Sequence, residues 1–464
     1  MHSSTREINE DFFVRKKIWD VFLFSAKIGS GKTQKNHPMA TTILQSNLSV
    51  TISEFVDSVY GKSSGACALR QTKFLLRSIV EHGTTLVSSL AKGLRPDLRT
   101  APKKQREMIS RHLNSLDLTT ELLEWLSSQI RFAPDTPVGV DCSDLSKTFG
   151  GKGMEGMEWG YDGSTGGKSM GHYFVSAAIV PGAGYVAKPF WVKIQRGKHG
   201  IQNLTLEAVR KTNTLSNGLA ICILDRGGDG ISTLKALLDE KIPSIVRISK
   251  MDRDLFGTGR SIDEELSRKD RIHTDLRRNS GEVQQATIRW AIGDLDVSSD
   301  QGKDAVPNYK KILVVESRFK GKSLYFYRIL ATEEYDKPEV LRKRATQTAQ
   351  LYLQRWQIET SYLRLKQDFG LEDARVRTFK RLENLFALCY LGYHFVQFYI
   401  PQCGLYHRFV KIARDNAITL TRRAESLLSA IRVLLRECMY KYITGRPRKK
   451  SSPDAFHEQM MLAL

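Results

Sequence analysis

No stretch of this 464-residue chain is long and apolar enough to span a bilayer, which argues against a helical membrane protein. The opening MHSSTREINEDFFVRKK has no apolar signal core, so no secretion route is expected. The six cysteines (67, 142, 222, 389, 403 and 438) include no CxxC pair. A zinc finger and a disulfide framework are both poor readings, and reduced thiols in a cytoplasmic setting fit better. Cys142 and Cys222 lie in apolar strand-like runs and read as core. The run AKIGSGKT (residues 26–33) resembles a phosphate-cradling loop, but Ala26 stands where such a loop requires glycine. No convincing helix follows it, which disfavours an NTPase. Internal repeats are absent as well. Acid is in short supply: 50 Asp and Glu against 71 Lys and Arg leave a net charge of +21. That excess attracts polyanions, nucleic acid first among them.

The organisation changes along the chain. Residues 1–40 are mixed, polar and peripheral. Residues 41–133 carry apolar residues at helical spacing, as in LRQTKFLLRSIVEHGTTLVSSLAKGL and QREMISRHLNSLDLTTELLEWLSSQI. Basic positions among them, including Arg70, Lys73, Arg77, Lys103, Lys104 and Arg106, make a small helical DNA-binding domain plausible; a merely soluble surface is the alternative. From residue 134 to 250 the pattern is α/β. PVGVDCSD, HYFVSAAIV and KPFWVKIQ read as strands separated by glycine-rich turns such as GGKGMEGMEWGYDGSTGG. A helix precedes a fourth strand, LAICILD, and another helix precedes a fifth, IPSIVRIS. Residues 251–336 hold three strand-like runs, QQATIRWAIG, KKILVVES and SLYFYRILAT, and read as a β-rich insertion. Residues 337–400 return to helix, and 401–464 read as C-terminal helices with a basic tail.

The chemistry concentrates in YLQRWQIETSYLRLKQDFG. Arg355, Glu359 and Lys366 follow Tyr352 by three, seven and fourteen residues. At about 100° per residue all four fall on one narrow helical face. A carboxylate beside an arginine, a lysine and a phenol suits a metal bound next to phosphate; an ordinary solvated Arg–Glu pair is the plain alternative. Asp141 and Asp225 each follow an apolar run, at the ends of the first and fourth strands. Alone, each reads as a cap or turn residue. With Glu359 they form a three-carboxylate set of the kind that binds Mg²⁺ through hard oxygen donors. Asp144 and Asp229 are nearby competitors, ranked as turn residues or as support behind the ligands. Trp356, about 100° from Arg355, reads as core or as support for the motif.

Together these segments resemble the DDE transposases of bacterial insertion sequences, specifically the insertion-sequence-four family. VGVDCSDLSK resembles the first-aspartate strand and ILDRGGDG the second. YLQRWQIETSYLRLK fits the signature Tyr-x2-Arg-x3-Glu-x6-Lys at every fixed position. The resemblance covers roughly residues 137–400. It implies a ribonuclease-H-like catalytic core with a β-rich insertion, preceded by a small helical domain and followed by C-terminal helices. It implies that Asp141, Asp225 and Glu359 hold two Mg²⁺ ions, which Mn²⁺ could replace. Tyr352, Arg355 and Lys366 would contact phosphates near the element end. The implied partners are element ends and target DNA, with a homodimer on paired ends. Some relatives flip a base onto a tryptophan, for which Trp290 is the candidate; a buried structural tryptophan is the plainer reading. Lys250, Arg253 and Arg260 could track DNA or simply line a charged loop. Two alternatives remain: a DNA-binding relative that no longer cuts, and a ribonuclease-H-like nuclease without strand transfer.

Overall fold

The computed structural model describes residues 37–61, 64–92, 101–147, 153–162, 167–196, 200–298, 307–402 and 432. The phosphate-loop look-alike, Arg95, Cys403, Cys438 and, apart from Arg432, the expected helix LLSAIRVLLRECMYKYI lie outside them. The chain divides into two compact units, Val56–His394 and the combination of Met1–Phe55 with Phe395–Leu464. In the second combination the Phe55 ring meets Phe395 at 5.3 Å and Tyr399 at 4.9 Å, a small aromatic cluster.

The larger unit is mixed α/β. Its helices begin with the end of α1 (His37–Tyr60), then α2 (Ala66–His82), α3 (Val87–Lys92), α4 (Pro102–Ser115) and α5 (Thr119–Ser128). The two long helical patterns of the sequence are each interrupted. Gly83 ends α2 in the left-handed conformation, and the chain around Leu116 to Leu118 separates α4 from α5. Asn384, fully buried, fastens that second break: its side chain accepts from Leu118 N at 3.0 Å and donates to the carbonyls of Leu113 and Leu116, both at 2.9 Å. A buried amide is stable only when so satisfied.

One ten-stranded sheet follows. Its strands are β1 (Thr136–Ser146), β2 (Glu158–Asp162), β3 (Gly167–Ile179), β4 (Lys188–Ile194), β5 (Ala220–Leu224) and β6 (Ser244–Arg247). Helices α6 (Ile201–Ser216) and α7 (Ile231–Asp239) connect β4 to β5 and β5 to β6. Strand β3 is antiparallel to β1, β2 and β4, whereas β1, β5 and β6 run parallel. The core order β4-β3-β1-β5-β6 is compatible with the expected ribonuclease-H-like layout. β5 (AICIL) is buried throughout, as a central parallel strand must be.

The segment between β6 and the next long helix contains α8 (Ile262–Ser267), β7 (Ile272–Arg277), β8 (Val283–Asp296), β9 (Tyr309–Phe319) and β10 (Lys322–Ile329). β10 pairs antiparallel with β6, so these strands prolong the central sheet. Two strands escaped the sequence reading. β2 lies inside the supposed glycine-rich turn, and β7 (IHTDLR) is a short, half-polar edge strand with no apolar run to announce it. The larger unit closes with α9 (Pro338–Gln354), α10 (Trp356–Gln367) and α11 (Phe379–His394). Gly370, just beyond α10, has φ +62°, and a Cβ there would lie 2.5 Å from Thr84 Cα. Only glycine fits this approach, which Thr84 and Thr85 complete with hydrogen bonds to Asp373 (2.7 Å) and the Gly370 carbonyl (2.5 Å).

Candidate active site

Parallel strands bring their carboxyl ends to one edge, which is where open α/β sheets place functional groups. β1 and β5 pair with Gly139 opposite Ile223, a register that carries Asp141 level with Asp225. β5 and β6 pair with Leu224 opposite Val246, which sets Asp225 beside Arg247. The same row continues through Phe326, Val315 and Trp290 by direct pairing, and on the other side Asp141 is opposite Ser176. Paired residues share a face, so this row is one continuous strip across the sheet.

Helices α9 and α10 lie over that strip. The apolar anchor of α10 is Ile358 and Leu365, both fully buried. The tyrosine between them, Tyr362, donates to the Asp141 carbonyl at 2.7 Å and shares a 2.9 Å hydrogen bond with Ser176 Oγ. Tyr352 donates to Asp225 Oδ1 at 2.7 Å, and its ring lies 4.6 Å from that of Phe326. The helical face expected from the sequence is slightly broken. α9 ends at Gln354 and α10 begins at Trp356, with Arg355 at a tighter turn in which its N–H bonds the Tyr352 carbonyl at 3.1 Å.

Arg355 occupies the centre. Nη1 lies 2.9 Å from Asp141 Oδ2, and Nη2 lies 3.7 Å from Asp225 Oδ2 and bonds Glu359 Oε1. Arg355 is buried, and its Nε has no partner. Thus Asp141, Asp225, Glu359, Tyr352 and Arg355 converge, as their sequence pattern anticipates. Lys366 stands further along α10, 3.6 Å from Asp144 and 3.5 Å from Glu372. Trp290 is half-buried on the same row as Asp225 but four strands away, about 19 Å at the usual strand spacing.

The electrostatics follow from burial and from Arg355, with a smaller share from Arg247. Burial pushes the Asp141 carboxyl up to about 6; Arg355 opposes the rise, and the Glu359 and Asp225 charges add to it. Burial would also raise Asp225, but Arg355, the Tyr352 hydrogen bond, a backbone bond from Arg226 and the Arg247 charge hold it below the ordinary range. Glu359 is raised, with burial outweighing Arg355. Tyr352 is raised to about 12, chiefly by burial, and remains a donor. Three carboxylates outnumber the two guanidinium groups beside them, Arg355 and the more distant Arg247, and their oxygens are the hard donors that a divalent cation prefers. Among the described residues no group of three or more His, Cys, Asp or Glu side chains is disposed as it stands to hold a metal ion. The carboxylates turn toward Arg355, which stands where cationic charge is required.

Asp229, four residues after Asp225, is otherwise disposed. It is buried and accepts from Ser249 N (2.6 Å), Ser249 Oγ (2.7 Å), Lys250 N (3.1 Å) and Arg253. It fastens the loop after β6 and thereby commits Arg253 to a structural pair. Arg260 faces Glu265 at 3.6 Å. Two expectations need correction. Cys142 is exposed, because strand alternation that turns Asp141 toward α10 turns its neighbour outward. Trp356 is 62% exposed, on the outer stripe of α10 that also carries Leu363. Sequence reading missed Tyr362 and Arg247. A tyrosine on the buried side of the glutamate helix, needing a partner for its hydroxyl, was the available signal for the first. For Arg247 it was a cation ending the fifth strand as Asp225 ends the fourth.

Residues 140–394 match the family model described as a transposase DDE domain, 255 of the chain's 464 residues. Comparison with curated proteins yields no match.

Proposed function

The chain belongs to the transposase DDE-domain family, and on that premise we propose that it binds the ends of an insertion sequence, cuts them and joins them to target DNA. The observation that carries this reading is the convergence of Asp141, Asp225 and Glu359, from three separate stretches of chain, around Arg355. The Tyr-x2-Arg-x3-Glu-x6-Lys spacing supports the narrower assignment to the insertion-sequence-four type.

In this reading Asp141, Asp225 and Glu359 hold two Mg²⁺ ions, replaceable by Mn²⁺. Such ions, when bound, activate water and stabilise the departing oxygen of a phosphodiester. The chain's own residues supply position and charge, which is most of what phosphoryl transfer asks of a protein. Tyr362 holds the Asp141 backbone against α10, and Tyr352 orients Asp225. Arg355, Tyr352 and Lys366 hold phosphates of the element end once the carboxylates are otherwise neutralised. Water adds to phosphorus, the P–O3′ bond breaks, and the freed 3′-OH later displaces an oxygen of a target phosphodiester. Trp290 is the proposed stacking surface for a displaced base, and the exposed basic residues of α4, Lys103, Lys104 and Arg106, are proposed DNA contacts. Two copies act on paired ends.

The test is Mg²⁺-dependent cutting and joining of a duplex that carries the inverted repeats bordering the gene. Wild-type protein should cut and join, and Glu359→Gln should bind the same duplex without cutting it. Equal inertness of the two proteins, with binding intact, would overturn the catalytic reading. Cut products that are never joined would reduce it to a nuclease.

A further inference from the structure

The row that places Asp141 beside Asp225 continues directly to Arg247, the last residue of β6. Arg247 Nη1 lies 3.4 Å from Asp225 Oδ1, an oxygen that already accepts from Tyr352 at 2.7 Å. Beside this contact, its charge also bears on Glu359 and Tyr352. The two arginines at the cluster are unequally committed. Arg355 is 6% exposed and engages all three carboxylates, whereas Arg247 is 22% exposed and has one long contact. Lys366 stands on the β1 side, held between Asp144 and Glu372. On the β6 side, Arg247 is therefore the cation best placed to meet an incoming anion.

A phosphodiester approaching three carboxylates is repelled unless cations flank its path. A planar guanidinium meets two phosphate oxygens at once, with charge-assisted hydrogen bonds on both. We infer that Arg247 binds a backbone phosphate of the DNA strand entering the site, next to the phosphate that reacts. The inference rests on the proposed function for its ligand, and it adds a phosphate contact outside the Tyr-Arg-Glu-Lys signature. Arg247 then marks the direction of the strand, away from Lys366 and along the row toward Phe326.

The test is a scan in which single neutral methylphosphonates replace successive phosphates in a short duplex ending in the inverted repeat that borders the gene. Affinity is measured without Mg²⁺, so that binding is read apart from cutting. Wild-type protein should lose about tenfold in affinity when one phosphate close to the cleavage position is neutralised, the size of one charge-assisted contact. Arg247→Ala should lose about tenfold on the unmodified duplex and nothing more at that position. Arg247→Lys should keep part of the sensitivity. If Arg247→Ala does not fold, Arg247→Gln reads the same coupling. Identical penalties in wild type and variant at every position would overturn the assignment. Failure of wild-type protein to cut the unmodified duplex in Mg²⁺ would instead count against the transposase reading, while the scan still decides whether Arg247 touches phosphate.

Discussion

The sheet sets an arginine against carboxylates in two regions, and the surroundings differ. In the strands added after β6, Arg289 on β8 pairs directly across the ladder with Glu316 on β9, 3.1 Å apart and both buried. Ser323 Oγ donates to the other Glu316 oxygen at 2.7 Å. One charge meets one charge, although Arg289 Nε, like Arg355 Nε, has no partner. In the middle of β1 and just beyond the end of β5, Arg355 meets three carboxylates, two of them about a third exposed. A balanced buried pair is a structural element; a surplus of carboxylates with an open side is a site prepared for further cations.

The largest expected effect separates the two regions by activity. Glu359→Gln should lower the rate of end cleavage about a thousandfold or more, a loss of roughly 4 kcal/mol of transition-state stabilisation. Glu316→Gln should leave cleavage per folded molecule nearly unchanged in single-turnover measurements. Comparable losses in both variants would erase the distinction.

Next in size are losses of folding stability. Removing one partner of a buried ion pair leaves the other charge uncompensated, at a cost of roughly 3–5 kcal/mol. Glu316→Ala should therefore destabilise the protein equally with and without Mn²⁺. Arg355→Ala should destabilise the metal-free protein to a similar degree, and Mn²⁺ should restore much of the loss, because the ions replace the missing cation. Thermal unfolding of both variants in Mn²⁺ and in chelator decides this, and identical metal responses would contradict the comparison.

A smaller effect concerns pH. Asp141 titrates at about 6 in the folded protein, against 3.8 ordinarily. The folded state thus binds this proton more tightly than the unfolded state does. Stability from this group is full below about pH 4 and declines as pH rises to about 6, by roughly 3 kcal/mol in all. Asp141→Asn should remove that decline from the metal-free protein. Asp225, held low, acts oppositely: its contribution is present above its ordinary range and is lost on acidification. Urea unfolding between pH 2 and 8 measures both slopes, that of Asp141 between about pH 4 and 6 and that of Asp225 below about pH 4, and an unchanged slope in Asp141→Asn would refute the assignment.

The smallest effect distinguishes the two aspartates of ILDRGGDG. Asp229→Asn should cost about 1–3 kcal/mol of stability by weakening the bonds that fasten the loop after β6. Asp225→Asn should change metal-free stability less and abolish cutting. The reverse pattern in unfolding and cleavage assays would exchange their roles.

Much of this site was legible in the sequence, because helical periodicity fixes which side chains share a face and apolar runs locate the central strands. The end of β1 was misjudged, since the strand runs on to Ser146 and holds Asp141 mid-strand and Asp144 within the ladder. Asp141, Asp225, Tyr352, Arg355 and Glu359 could be brought together on that basis alone. What could not be read depends on pairing between distant strands. Arg247 enters only because β6 lies next to β5, and Trp290 joins the same row only through β10 and β9. Strands β2 and β7 were hidden because edge strands need no continuous apolar run. The exposure of Cys142 and Trp356 was misjudged because an apolar neighbourhood does not determine which way one side chain turns.

The most direct test of the account is Mn²⁺ binding, followed by electron paramagnetic resonance or calorimetry, in wild-type, Asp225→Asn and Asp229→Asn proteins. The account predicts that wild type and Asp229→Asn bind the ion and that Asp225→Asn loses most of the binding. Binding by Asp225→Asn as strong as that of wild type would contradict a metal site built from Asp141, Asp225 and Glu359.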